Sequence, residues 1–181
     1  MTSSAFSAVA EKEAKSGLAP APAAGPWRRF MGCAYETIIL FGVVWFADYA
    51  FSALTHFQGH PGALRTAFQW FTLAILAIYF TGFWSEGRRS LPMKTMSLQL
   101  QTRAGGPVPV AQAFARFSVI SALAVAAMAA GHYLHPVLFV LLPVPWLWTL
   151  VDRDRRALHD ILTGTRLVHL DPHPALRSVD V

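Results

Sequence analysis

Charge is what this sequence has least of. Only 14% of its 181 residues are charged, against about 25% in average usage for soluble domains. Acidic side chains are the scarcer kind, with 10 Asp and Glu against 15 Lys and Arg and a formal net charge of +5. With 54% hydrophobic residues and a mean hydropathy of +0.40, the composition excludes an ordinary soluble domain. Cys33 is the only cysteine, which excludes an intrachain disulfide. It lies in an apolar run, where a free thiol behaves as a small core residue. No G-x-S-x-G nucleophile and no glycine-rich phosphate loop occurs. The chain is therefore not expected to be an enzyme, and no cofactor is expected. Basic residues are not interleaved with aromatics as nucleic-acid binding would require, so nucleic acid is not an expected partner. The opening residues lack a signal-peptide core, because Glu11, Lys12, Glu13 and Lys15 interrupt it. Residues 1–26 read as a disordered tail with a short amphipathic stretch around Phe6 and Val9, and residues 171–181 as a second tail.

The sequence is rich in long apolar blocks. Crossing the hydrocarbon core takes roughly 20 apolar helical residues. Residues 30–54, 64–84 and 111–133 each meet that length. Residues 135–151 form a shorter fourth segment, interrupted by Pro143 and Pro145, where a kink or a re-entrant course is expected. Basic residues collect in cytoplasmic loops of membrane proteins. With four crossings, every Lys and Arg except Arg65 falls on one side. Three crossings would move the C-terminal arginines to the other. The pattern thus favours four spans, both termini cytoplasmic, in a bacterial cytoplasmic (inner) membrane. Trp27, Trp84, Trp146 and Trp148 stand near segment ends, as interfacial aromatics do.

The loop between segments two and three carries more than linker. Met96, Leu98 and Leu100 alternate with Ser97, Gln99 and Gln101, a strand period, and Arg103–Pro107 reads as a turn. Thr165–Leu170 is a similar short run, and the two are expected to pair. The expected architecture is an all-α membrane protein, a four-helix transmembrane bundle over residues 27–170 with a small cytoplasmic element made from this loop and the tail. Gly42, Gly82, Ala122, Ala126 and Ala130 are small enough for close helix packing. No internal repeat supports an inverted-repeat transporter.

Charges inside the apolar blocks mark the candidate site. Glu36 lies about six residues into the first block, where a charge costs several kcal/mol unless it faces the bundle and is partnered. Arg29 stands two turns earlier on the same face, about 10 Å away along the axis and too far for a direct pair. Arg116, near the start of the third block, is the other partner considered. The functional reading is a proton or cation site; the structural one is an interhelical ion pair. Asp48, near the outer end of the first block, either reaches the interface or gates the same path. Residues 152–165 read as an amphipathic surface helix, with Asp152 pairing Arg155 or Arg156 and Gly164 closing the helix. For His159 and Asp160 the functional reading is acid–base or metal chemistry, although no second ligand is at metal-binding spacing; the structural one, which is favoured, is a membrane-surface elbow whose charges lock the middle loop to the tail. His56, His60, His132 and His135 fall in the two outer loops and form a metal hypothesis, against the plainer reading of His as a common polar loop residue. The cytoplasmic arginines and lysines meet anionic lipid head groups, at about 1 kcal/mol each.

Four stretches resemble the RDD family of small bacterial membrane proteins. Arg28-Arg29-Phe30 opens the first segment, and Glu36 stands where the family carries an Asp. Residues Gly87 to Lys94 match the family's middle-loop element. Asp152 to Thr165 is similar to its D-x-x-x-[RQ]-x-[LW]-H-D-x-x-[AS]-G-T element and is the most specific of the four. The resemblance covers residues 27–170. It implies a membrane protein for which transport, including ion exchange by some members, has been proposed. Two readings follow. One is a small proton- or cation-linked transporter, built as a homo-oligomer because four spans make a thin pathway wall. The other is a non-catalytic scaffold or accessory subunit held to a membrane partner.

Overall fold

The computed structural model describes residues 22–170. Three helices are long and apolar enough to cross a membrane: α1 (Pro26–Thr55), α2 (Ala63–Trp84) and, later in the chain, α4 (Val110–Tyr133). Pro26 sits in the first turn of α1, where its missing N–H removes nothing from the helix. His56 ends α1 in a left-handed conformation with φ 54°, its N–H donating back to the Ser52 carbonyl. Between α2 and α4 come the single turn α3 (Leu91–Thr95) and the strand β1 (Leu98–Thr102). The Ser90 hydroxyl caps α3 by accepting from the Met93 N–H.

After α4 the chain is fragmented. Pro136–Leu141 is a 3-10 helix, α5 is only Val144–Leu147, and Trp148–Leu150 is 3-10 again. The fourth segment, expected over 135–151 as a kinked or re-entrant helix, is thus broken into short 3-10 and α-helical pieces. Pro143 and Pro145 supply no N–H for an α-helical ladder, so the backbone closes in short turns. The first piece lies against Gly131, where any Cβ would meet the Phe139 ring at 2.6 Å. Trp146 already reaches back to Phe30 near the start of α1, with ring centroids 6.0 Å apart. A 3-10 stretch rises about 2.0 Å per residue against about 1.5 Å in an α-helix, so this segment covers more distance than its length suggests. Asp152–Arg155 is a turn, and helix resumes only in α6 (Leu158–Leu162), so the long amphipathic helix expected over 152–165 is one short turn.

Strand β2 (Thr165–His169) pairs antiparallel with β1, Leu98 opposite His169 and Thr102 opposite Thr165. Residues 22–25, expected to belong to a disordered tail, are instead part of this element. The Ala24 N–H donates to the Leu167 carbonyl at 3.0 Å, and the His169 N–H donates to the Pro22 carbonyl at 2.9 Å. Ala24 is fully buried, because its methyl fits among Leu98, Leu100, Val108 and Ala113 where a larger side chain would not. The amphipathic stretch expected around Phe6 and Val9, and the tail over 171–181, lie outside the described residues. A two-stranded sheet is marginal by itself. Here Leu98 and Leu100 are buried in one cluster with Met93 of α3 and Ala113 of α4, while Val168, opposite Gln99, is buried on the other face, each contributing roughly 1.5–3 kcal/mol of burial.

The protein's core therefore sits at one end, where α1 and α4 begin and α2 finishes. Between the long helices little is shielded. Ile38, Phe41, Trp45 and Phe46 on α1 and Ile78 on α2 are all exposed, a surface suited to lipid.

Candidate functional site

Glu36 lies ten residues into α1, about 15 Å from its start. The Tyr79 hydroxyl of α2 donates to Glu36 Oε1 at 2.6 Å. The Ser90 hydroxyl, held in place as the cap of α3, donates to Oε2 at 2.7 Å. Two neutral donors on two different elements thus converge on one half-buried carboxylate. No basic side chain among the described residues forms a salt bridge with it. Asp48 receives a hydrogen bond from Thr72 of α2 at 2.8 Å. Thr72 and Tyr79 are seven residues apart and share one face of α2. The two carboxylates of α1 are therefore both held by hydroxyls of that face, but twelve residues, about 18 Å of helix, separate them.

Arg29 and Arg116 do not partner Glu36. Both point to Asp160 of α6. Arg29 Nη1 donates to Asp160 Oδ2 at 2.8 Å, and Arg116 Nη1 donates to Asp160 Oδ1. The Ala157 N–H also donates to Oδ2, at 3.1 Å. Arg29 further donates from Nε to the Ala24 carbonyl at 3.1 Å and from Nη2 to the Leu167 carbonyl at 3.3 Å. Arg116 donates to the Thr165 hydroxyl at 2.6 Å, and its guanidinium stands 5.0 Å over the Trp84 ring. Each arginine so ties a long helix to β2 and α6. Asp160 is fully buried, and both arginines are 5% exposed. Burial by itself would raise the Asp160 pKa, but the Arg116 charge, aided by Arg29, overcomes it and holds the carboxyl well below its ordinary value. Adjacent His159 is pushed down to about 3, by burial first and by the Arg116 charge second. It is neutral near pH 7, so its 3.6 Å approach to Asp160 is not an ion pair.

On the 152–156 turn, Asp152 accepts from both Arg156 N–H (2.9 Å) and Arg156 Nε (3.1 Å). The side-chain bond from Arg156, more than the backbone one, holds the Asp152 carboxyl below its usual range. Arg155 makes no such bond; the i,i+4 partner is the one formed. Gly164 follows α6 at φ 64°, the left-handed position expected of it. The four histidines expected in the outer loops are not brought together, and His132 lies in the last turn of α4. His135 accepts from the Val137 N–H and starts the 3-10 turn, His56 closes α1, and no group of three metal-ligating side chains exists among the described residues. The metal hypothesis is not supported by this geometry.

Tyr79, Ser90 and Thr72 were not among the residues singled out from sequence. Hydroxyls are too common to stand out, and their carboxylate partners are 24 to 54 residues away in the chain. A family model described as the RDD family matches residues 23–164, from the Ala23 pairing with β2 to Gly164. No curated protein and no solved structure matches the chain.

Proposed function

Since the chain belongs to the RDD family and carries three helices fit to cross a membrane, we propose that it is a non-enzymatic, proton- or cation-linked transport protein with Glu36 as the ion-handling group. The observation that carries this reading is the setting of Glu36. Its carboxylate has two hydroxyl donors and, among the described residues, no cationic partner. A carboxylate neutralised by arginine is locked in one charge state. One held by hydroxyls can exchange a proton for a metal cation, because the same hydroxyl oxygens that donate to the anion can offer lone pairs to a cation. Competition of the two on one carboxylate is the chemical basis of exchange.

Four crossings, with both termini on the cytoplasmic side of a bacterial inner membrane, complete the proposal. The hydrogen bonds joining residues 22–25, β1 and β2 at one end support it, since the chain after α4 has to return to that end. The density of arginine there supports the cytoplasmic assignment. A homo-oligomer would supply the remainder of a pathway wall. The test is cation-driven pH change in proteoliposomes containing the purified chain, with sodium, potassium and lithium compared. Coupled flux in the wild type that disappears in a folded Glu36→Gln variant supports transport. A folded, inserted wild type with no flux for any cation overturns it and leaves the scaffold reading, for which capture of a membrane partner is the next measurement.

A further inference from the structure

A cavity of about 650 Å³ opens at the core end of the molecule, apart from Glu36. Its lining includes six arginines drawn from four separate stretches of chain: Arg29, Arg103, Arg153, Arg155, Arg156 and Arg166. Asp154 is the one acidic residue among the lining residues. Arg29 is committed to Asp160, and Arg156 to Asp152 and Asp154. Among the described residues, Arg103, Arg153, Arg155 and Arg166 make no salt bridge. Setting Asp152, Asp154 and Asp160 against the six arginines still leaves an excess of positive charge in one concavity.

Like charges are not gathered this way by packing. The backbone works to hold them there. Arg155 occupies a left-handed conformation at φ 53°, one that side-chain-bearing residues rarely adopt, in a turn fixed by Asp152. Arg103 is brought in by its N–H bond to the Gly164 carbonyl at 3.1 Å, and Arg166 by its place in β2 opposite Gln101. Arg166 Nε is buried and has no hydrogen-bond partner among the described residues, a donor in need of an acceptor. Guanidinium forks match phosphate oxygens in shape and charge and bind them through paired N–H donors.

We propose that this arginine-lined cavity is a specific binding site for a phosphate-bearing anion of at least two negative charges. Such a group can come from the head group of an anionic phospholipid or from a soluble phosphorylated molecule, and the cavity recognises what they share. This differs from the diffuse attraction of basic residues to an acidic membrane: it is saturable and depends on which arginines are present. It does not rest on the transport reading.

The test uses the full chain in nanodiscs of phosphatidylcholine alone, with inorganic pyrophosphate as the probe and calorimetry as the readout. The expected result is saturable binding that an Arg153→Gln/Arg155→Gln double variant weakens at least about tenfold. Both residues are exposed and stand outside the Asp160 cluster, so folding is retained. Arg65→Gln/Arg88→Gln removes the same charge away from the cavity and is expected to change binding less than about twofold at physiological salt. Arg155→Lys, which keeps charge but loses the fork, is expected to fall between. A repeat in nanodiscs containing phosphatidic acid separates the sources. Loss of pyrophosphate binding there assigns the site to a lipid head group; unchanged binding assigns it to a soluble phosphate compound. No saturable binding to the wild type, or equal weakening by the control pair, overturns the proposal.

Discussion

Along α1, Phe41 is 73% exposed and Trp45 61%, while Arg29, near the same helix's start, is 5% exposed. The helical region places apolar side chains outward and holds Glu36 and Asp48 through hydroxyls. The core end places apolar strand residues inward and holds a carboxylate through two arginines. The contrast follows from what surrounds each part. In lipid an exposed leucine costs nothing, and helix contacts come from packing and a few interhelical hydrogen bonds. At the water-facing end the hydrophobic effect acts, so Leu98, Leu100 and Val168 are sequestered, and the charges trapped with them must be paired. The first arrangement leaves its carboxylates without a cationic partner among the described residues. The second pairs its carboxylate with two guanidinium groups.

Breaking the core-end cluster should have the largest effect. Asp160→Asn leaves Arg29 and Arg116 buried beside each other without a counter-charge, and a loss of about 3–5 kcal/mol is expected. Thermal unfolding in detergent, read against the wild type, checks it; a melting temperature unchanged within error would sink the clasp role of Asp160.

Acidification tests the same region more gently. His159, with a folded pKa of about 3, stays neutral where the unfolded chain takes up a proton. Its contribution is intact above about pH 6.5 and is lost as pH falls toward 3, at up to about 1.4 kcal/mol per pH unit. Asp160, whose pKa is depressed, contributes above its unfolded value near 3.9 and loses that contribution only below it. A His159→Gln variant should therefore show a flat stability profile from pH 6.5 to about 4, where the wild type slopes. Parallel profiles would remove His159 from the account.

Next in size is the fourth segment. Gly131→Ala puts a methyl into the Phe139 ring, and an overpacking cost of about 1–3 kcal/mol is expected. Protease access to the 136–150 stretch should rise in the variant, and unchanged access would mean that this contact does not hold the segment.

The smallest effect on stability is expected at Glu36, and that sharpens the contrast. Glu36→Gln keeps an oxygen for Tyr79 or Ser90, so unfolding should shift by less than about 1 kcal/mol. Coupled ion flux is nonetheless expected to vanish. A melting temperature that drops as far as in Asp160→Asn would make Glu36 another structural clasp.

Much of this was legible in the residues. The courses of α1, α2 and α4 follow from the apolar blocks at 30–54, 64–84 and 111–133, although α1 begins four residues earlier than its block, at Pro26. The alternation of Leu98 and Leu100 with Gln99 and Gln101 announced β1, and Thr165–Leu170 its partner. Glu36 stood out because a charge in an apolar run is costly wherever the run ends up. Its partners did not stand out. Nor did those of Arg29, whose carboxylate is 131 residues away; the resemblance quoted both Arg29 and Asp160 without joining them. The order of Ala24 was hidden because Ala, Pro and Gly before a helix look the same in a mobile tail and in a packed edge.

The sequence by itself determined which stretches prefer lipid and which prefer water, because that choice is a sum over local side chains. It determined the three long helices and the strand pair for the same reason, through length and periodicity, but not the 3-10 course over 136–150 or the shortness of α6. Only the tertiary structure decided which charge meets which. Arg29, Arg116, Glu36 and Asp160 are interchangeable as candidates along a line. A guanidinium pairs only with the carboxylate that folding brings within about 3 Å of it, and the convergence of α1, α4, α6 and β2 brings it Asp160.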